Sequence, residues 1–159
     1  SEGPGRGSEF IIRLPIVVGQ ELALVTTPAM RTVPTRAHIL VVEDNPDSRD
    51  MLRALLEAAG HQVRIANDGP GAVEAVRLHG PDLALIDIGL PGFDGYEVAR
   101  RIRRELGPAV RLVAVTGYGR SEDRLRTAAA GFDSHLVKPV SPEQIDHEIA
   151  SLGIRPARR

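Results

Sequence analysis

From Ala37 to Leu152 the chain alternates short apolar runs with segments whose apolar residues recur at helical spacing. The runs are His38–Val42, Gln62–Ala66, Asp82–Asp87, Val110–Val115 and Ser134–Val137. Three of them carry continuous aliphatic residues, as strands buried on both faces of a parallel sheet do. Such strands need helices to cover them. Met51, Leu52, Leu55, Leu56 and Ala59 form one helical face, Val98, Ile102 and Leu106 a second, and Ile145, Ile149 and Leu152 a third. Start signals agree: Asn45-Pro46 precedes the first helix, Asp94 with Glu97 the third, and Ser141-Pro142 with Gln144 the fifth. Repeated strand-helix units of this length predict an α/β, doubly wound parallel sheet, with the functional crevice beyond the carboxyl ends of the strands.

The flanks read differently. Residues 19–36, and Glu21 to Thr35 in particular, mix Thr, Pro and Ala with little periodicity and read as a linker. Phe10-Ile11-Ile12-Arg13-Leu14 has strand character after a glycine-rich run, and one strand needs a partner. Residues 153–159 are a short basic tail. The apolar stretch from Phe10 to Val25 is broken by Arg13, Pro15, Gln20 and Glu21, short of the roughly 20 apolar residues of a membrane span. Ser1 to Gly7 lacks the basic start of a secretory signal, so a cytoplasmic chain is expected.

Composition narrows the function classes. The 159 residues, 42% of them hydrophobic, suit one full-sized domain with a short appendage. The 20 basic and 21 acidic residues nearly cancel, which gives no electrostatic footprint for nucleic acid or an acidic membrane and points to a protein partner. No cysteine is present, which excludes disulfides, thiolate metal sites and thiol nucleophiles.

The candidate chemistry sits at strand ends. Glu43 and Asp44 follow the first strand and Asp87 ends the third; in a doubly wound sheet these strands are neighbours at the switch point. Three converging carboxylates call for a hard cation, and oxygen ligands without His or Cys favour Mg²⁺ over zinc. Taken singly, Asp44 reads equally as part of a helix start and Asp87 as a loop residue. Thr116 follows the fourth strand and Lys138 the fifth, so both face the same crevice. An ammonium, a hydroxyl and a cation around one carboxylate suit a transferring phosphoryl group, whose equatorial oxygens carry the charge. Asp87 is then the nucleophile. Gly117 either leaves room over the site or is simply a turn residue.

These residues resemble a response-regulator receiver domain. The matching elements are Ile39-Leu40-Val41-Val42-Glu43-Asp44-Asn45, the run from Asp82 through Asp87-Ile88-Gly89-Leu90-Pro91 to Asp94-Gly95, Val115-Thr116-Gly117, and Val137-Lys138-Pro139. The resemblance covers residues 37–152 and implies a flavodoxin-like five-stranded sheet in the order 2-1-3-4-5. It implies that a phosphohistidine on a histidine kinase core or a histidine phosphotransfer protein phosphorylates Asp87. By matching position, Glu43, Asp44, Asp87 and the Gly89 carbonyl would hold Mg²⁺ (or Mn²⁺), Lys138 would contact the phosphoryl oxygens, and Thr116 would move toward them. The Lys138-Pro139 bond is expected to be cis on the family pattern, although X-Pro bonds are mostly trans. The family often carries Tyr or Phe as a rotating switch three residues before the Lys; here that position is His135.

Residues 1–18 carry a second resemblance. Ser1-Glu2-Gly3-Pro4-Gly5-Arg6-Gly7-Ser8-Glu9-Phe10-Ile11-Ile12-Arg13-Leu14-Pro15 is similar to the last glycine-rich turn and final strand of a histidine-kinase ATP-binding domain. The alternative is that Gly7-Ser8-Glu9-Phe10 is a cloning scar. The kinase resemblance implies that the parent is a hybrid sensor kinase whose receiver either relays its phosphoryl group or acts as a sink. This piece alone is not expected to be an enzyme. Two rival functions fare worse. An Asp-nucleophile phosphatase of the haloacid-dehalogenase type needs an Asp two residues after its nucleophile, and that position is Gly89. A DNA-binding regulator needs an effector domain after the receiver; only a few residues follow Leu152, and five aromatics with no basic stripe are expected to offer no binding surface.

Overall fold

The computed structural model describes residues 36–117 and 121–151, which fall in the second of the two units into which the chain divides, Thr32–Arg159. The kinase-like residues 1–18, the linker up to residue 35, Leu152 and the basic tail 153–159 lie outside the described residues.

Five strands alternate with five helices: β1 (His38–Val42), α1 (Pro46–Ala58), β2 (Gln62–Ala66), α2 (Gly69–His79), β3 (Leu83–Asp87), α3 (Gly95–Leu106), β4 (Arg111–Thr116), α4 (Ser121–Ala130), β5 (Ser134–Val137) and α5 (Pro142–Ser151). The strands form one parallel sheet in the order β2-β1-β3-β4-β5. Register pairs Ile39 with Val63 and Leu83, Leu83 with Arg111, and Thr116 with Val137.

Period-two alternation divides the core into two layers. Leu40, Val42, Ala84, Ile86, Leu112 and Ala114 point to one face, where Val73, Val76, Val98 and Ile102 of α2 and α3 cover them. Ile39, Val41, Leu83, Leu85, Val113 and Val115 point to the other, against Leu56 of α1 and Ile145 and Ile149 of α5. At about 25 cal/mol per Å² of apolar surface removed from water, these two layers are the main source of stability.

Caps set where the helices begin. Asn45 Oδ1 accepts the Ser48 N–H at 2.9 Å with Pro46 at the first helical position, and Asp94 Oδ1 accepts the Glu97 N–H at 2.8 Å. Ser141 and Gln144 cap each other reciprocally, Gln144 Oε1 accepting the Ser141 N–H at 2.9 Å and Ser141 Oγ the Gln144 N–H at 3.4 Å. Asp68 caps α2 in the same way, accepting the Gly71 N–H at 2.7 Å.

Some sequence expectations change. Strand β3 starts at Leu83 because the Asp82 carboxylate turns aside to accept the His38 N–H at 2.8 Å. Strand β4 spans Arg111–Thr116, because the Val110 carbonyl is taken by Arg103 Nη1 at 2.7 Å while Thr116 pairs with Val137. Only part of the expected face of α1 meets the sheet. Leu56 is buried and Leu52 half-buried, whereas Met51 and Leu55 are exposed. The sheet beneath α1 accepts a stripe narrower than the run of apolar residues.

Candidate functional site

The carboxyl ends of β1, β3, β4 and β5 meet at the switch point, where β1 and β3 pair and their connections leave in opposite directions. Glu43 and Asp44 leave β1, Asp87 ends β3, Thr116 ends β4 and Lys138 follows β5. Glu43, Asp87 and Thr116 are buried, and Asp44 is exposed.

Glu43, Asp44 and Asp87 each bring a carboxylate oxygen to within 4.8 Å of the other two. Lys138 Nζ donates to Glu43 Oε2 at 2.6 Å and to Asp87 Oδ2 at 2.8 Å. Burial pushes the Lys138 ammonium toward its neutral form, and the hydrogen bonds and charges of Asp87 and Glu43 outweigh it, so the pKa rises above the ordinary lysine value. Backbone groups complete the arrangement. The Gly89 N–H donates to Asp87 Oδ1 at 2.9 Å, and the Asn45 N–H to Glu43 Oε1 at 3.3 Å. The Lys138 N–H donates to the Thr116 carbonyl at 2.8 Å, which ties the β5 end to the β4 end, and the Lys138-Pro139 bond is cis. A Cβ at Gly117 would meet nothing within 4 Å, so space is open beside Thr116.

Three carboxylates face one ammonium here, an excess of two negative charges that matches a divalent cation. The donors are hard oxygens without His or Cys among them, which suits Mg²⁺ or Mn²⁺ and not zinc. His135 stands apart. It lies on β5 opposite Ala114, on the sheet face that α2 and α3 cover, and is half-buried.

Two features escaped the sequence reading. Arg49 of α1 reaches back to the β1 end, where Nη1 donates to the carbonyls of Glu43 at 3.2 Å and Asp44 at 3.5 Å and braces the acidic turn. Its spacing from Asp44 is visible in the sequence, but nothing in it says which way the guanidinium turns. The second is an apolar groove of about 360 Å³ beside Lys138, lined by Met51, Leu52, Val115, Pro139 and Val140 among others. Met51, expected under α1, is 59% exposed at its edge.

Known proteins of the same kind are numerous. The sequence model of the response regulator receiver domain matches residues 39–150. An uncharacterised 14.6 kDa protein of Leptolyngbya boryana is 38% identical over 67% of this chain and 82% of its own length. The sensor histidine kinase RcsC of Salmonella typhi is 37% identical over 70% of this chain, and the sensor protein EvgS of Escherichia coli K12 is 28% identical over 94% of it. In each of these two the match spans 12% of the larger protein. Among solved structures, the receiver domain of a sensor histidine kinase from Pseudomonas aeruginosa PAO1, with a magnesium ion coordinated in its active site cleft, aligns with a TM-score of 0.66 and 32% identity. That alignment covers 73% of this chain and 96% of that one. The chemotaxis protein CheY4 of Vibrio cholerae aligns with a TM-score of 0.68 and 26% identity, over 73% of this chain and 98% of that one. Among the described residues no helix is long and apolar enough to cross a membrane. The chain belongs to the response regulator receiver domain family: it is a receiver of two-component signalling, homologous to receivers carried by sensor histidine kinases.

Proposed function

We propose that Asp87 accepts a phosphoryl group from a phosphohistidine on a partner protein, with Glu43, Asp44, Asp87 and the Gly89 carbonyl holding Mg²⁺ or Mn²⁺. The observation that carries this reading is the meeting of three carboxylates with one lysine at the ends of β1, β3 and β5. A carboxylate oxygen of Asp87 attacks phosphorus, the P–N bond breaks, and its electron pair returns to the imidazole nitrogen. The product is a mixed anhydride, which water later opens to phosphate and free Asp87. When bound, the divalent cation neutralises charge on the phosphoryl oxygens. Lys138 exchanges its bond to Asp87 for one to a phosphoryl oxygen, and the Thr116 hydroxyl donates to another. The chain promotes transfer to and from itself and turns over no other substrate. Strand β5, which carries His135 and leads into Lys138, passes the change to its surface.

A protein donor is favoured by the groove between α1 and the β5–α5 loop, whose apolar wall borders Lys138. Its occupant is a helix of the histidine-bearing partner, since an apolar surface beside a charged site suits a side chain brought in on a large apolar body. An origin in a hybrid histidine kinase is supported by the EvgS match, which at 94% of this chain outruns the receiver itself, and by residues 1–18. Sequencing the native gene upstream of Ser1 tests this directly: an in-frame kinase core is expected, and its absence refutes the origin. The receiver either relays its phosphoryl group to a histidine phosphotransfer protein or acts as a phosphate sink for the same kinase; transfer from the charged receiver to such a protein separates the two.

The phosphoacceptor reading is tested with acetyl phosphate. Wild type in Mg²⁺ is expected to form a hydroxylamine-labile adduct that is lost in EDTA and absent from Asp87→Asn. An equal adduct on the Asn variant, or none on wild type, overturns it.

A further inference from the structure

The loop from Ile88 to Asp94 joins β3 to α3 and carries Gly89 next to the phosphoacceptor. Two glycines set how closely it can be held. At its far end a Cβ on Gly95 would overlap the carbonyl oxygen of Asp87 and lie 2.7 Å from the Cα of Ile88. Both are backbone atoms that cannot rotate away. In its middle the Phe93 ring occupies the space where a Cβ on Gly69 would stand: that atom would overlap Phe93 Cδ1 and lie 3.0 Å from Cγ and from Val98 Cγ2.

Gly69 is buried at the first position of α2 and is not among the glycines of positive φ, although it precedes Pro70, whose ring crowds a Cβ on a helical residue before it. Space for the ring is a second reason for glycine, and the one that involves the loop. Phe93 is half-buried against the core layer of α2 and α3, and its N–H donates to the Pro91 carbonyl at 2.8 Å across Gly92, whose φ is +75°. The seated ring thus holds the turn Pro91–Phe93, and the loop runs back from there to the Gly89 N–H that grips Asp87 Oδ1.

We propose that the notch at Gly69 is a seat for the Phe93 ring, and that this seat fixes the loop that aims Asp87 and Gly89 at the cation and the incoming phosphoryl group. Gly69 and Phe93 are positioning residues, and the proposal rests on Asp87 being the phosphoacceptor. Filling the notch expels the ring and moves the loop; removing the ring frees the loop without a clash. Filling a notch whose ring is gone should therefore do little further harm to the site, apart from a small shift of the Val98 methyl and a cost at the helix start before Pro70 that shows in melting and not in Mg²⁺ affinity.

The test compares wild type, Gly69→Ala, Phe93→Ala and the double variant. Mg²⁺ affinity is read by NMR titration at the Gly89 amide, adduct rate with acetyl phosphate, and stability by thermal melting. Gly69→Ala is expected to weaken Mg²⁺ binding about tenfold and to slow adduct formation about as much, because groups that orient a site by supporting its ligands commonly matter on that scale. Phe93→Ala weakens binding less, and the double variant matches Phe93→Ala instead of adding the two losses. If Gly69→Ala does not fold, folding of the double variant together with weakened Mg²⁺ binding by Phe93→Ala supports the seat. Wild-type Mg²⁺ affinity and an unmoved Gly89 amide in Phe93→Ala, or losses that add in the double variant, overturn it and leave packing alone. Failure of wild type to form an adduct counts against Asp87 as acceptor, while the Mg²⁺ titration still decides the seat.

Discussion

Replacing Lys138 with methionine removes the one ammonium in contact with the carboxylates and keeps the apolar stem. Its Nζ stands 2.6 Å from Glu43 and 2.8 Å from Asp87, whose side chains are 8% and 12% exposed, while the lysine side chain is 35% exposed. Truncating one partner of a fully buried pair costs about 3–5 kcal/mol, and exposed pairs contribute about 0–1 kcal/mol. A lysine one-third exposed falls between, so about 2 kcal/mol is expected for Lys138→Met. For a domain of this size that corresponds to a melting temperature lower by about 8 °C, measured by circular dichroism in EDTA. Saturating Mg²⁺ should narrow the deficit, because a divalent cation gives the same carboxylates a counter-charge. Adduct formation should fall about a hundredfold, the scale seen when one charge-stabilising donor is lost. A melting temperature equal to or above wild type in EDTA refutes the reasoning, since it would mean that Glu43, Asp44 and Asp87 coexist without need of Lys138.

Met51→Lys, at the edge of the groove, should slow transfer from a phosphohistidine protein about tenfold or more while leaving uptake from acetyl phosphate unchanged; equal effects on both donors refute the groove as a docking surface. Arg103 joins α3, β4 and the α4–β5 turn by donating to the carbonyls of Gly107, Val110 and Gly131 and to Asp133, so Arg103→Met should lower stability by about 2–3 kcal/mol in a urea melt. Its adduct rate per folded molecule should stay at wild type, because these contacts hold strand β4 at the end away from Asp87. Asp94→Ala removes the α3 cap and should cost about 1 kcal/mol in the same assay, with Asp94→Asn close to neutral.

Legibility in the sequence followed the range of the interaction. Strands β1, β2 and β5 and the caps Asn45, Asp94 and Ser141 were readable because an aliphatic run or a capping residue acts within a few positions of itself. Asp68 was equally local and went unread, although Pro70 stands in the first turn that it caps. Helix α4 resisted for another reason: Leu125 is 76% exposed and Thr127 is buried, so its apolar positions do not mark the inner face. The convergence of Glu43, Asp44, Asp87 and Lys138 followed from topology, once the crevice rule said which strand ends meet. The turn of Arg49 toward β1, the exposure of Met51 and the fit of Phe93 at Gly69 depend on how separate elements approach, which no local pattern encodes.

The central claim is that Asp87 and no other residue carries the phosphoryl group. Borohydride reduction of the acetyl phosphate-treated protein turns an aspartyl phosphate into homoserine, and peptide sequencing by mass spectrometry then reads its position. Homoserine at position 87 alone, formed only when Mg²⁺ is present, is the predicted result. Homoserine at another carboxylate, or phosphate on a serine, threonine or histidine with Asp87 intact, contradicts the account.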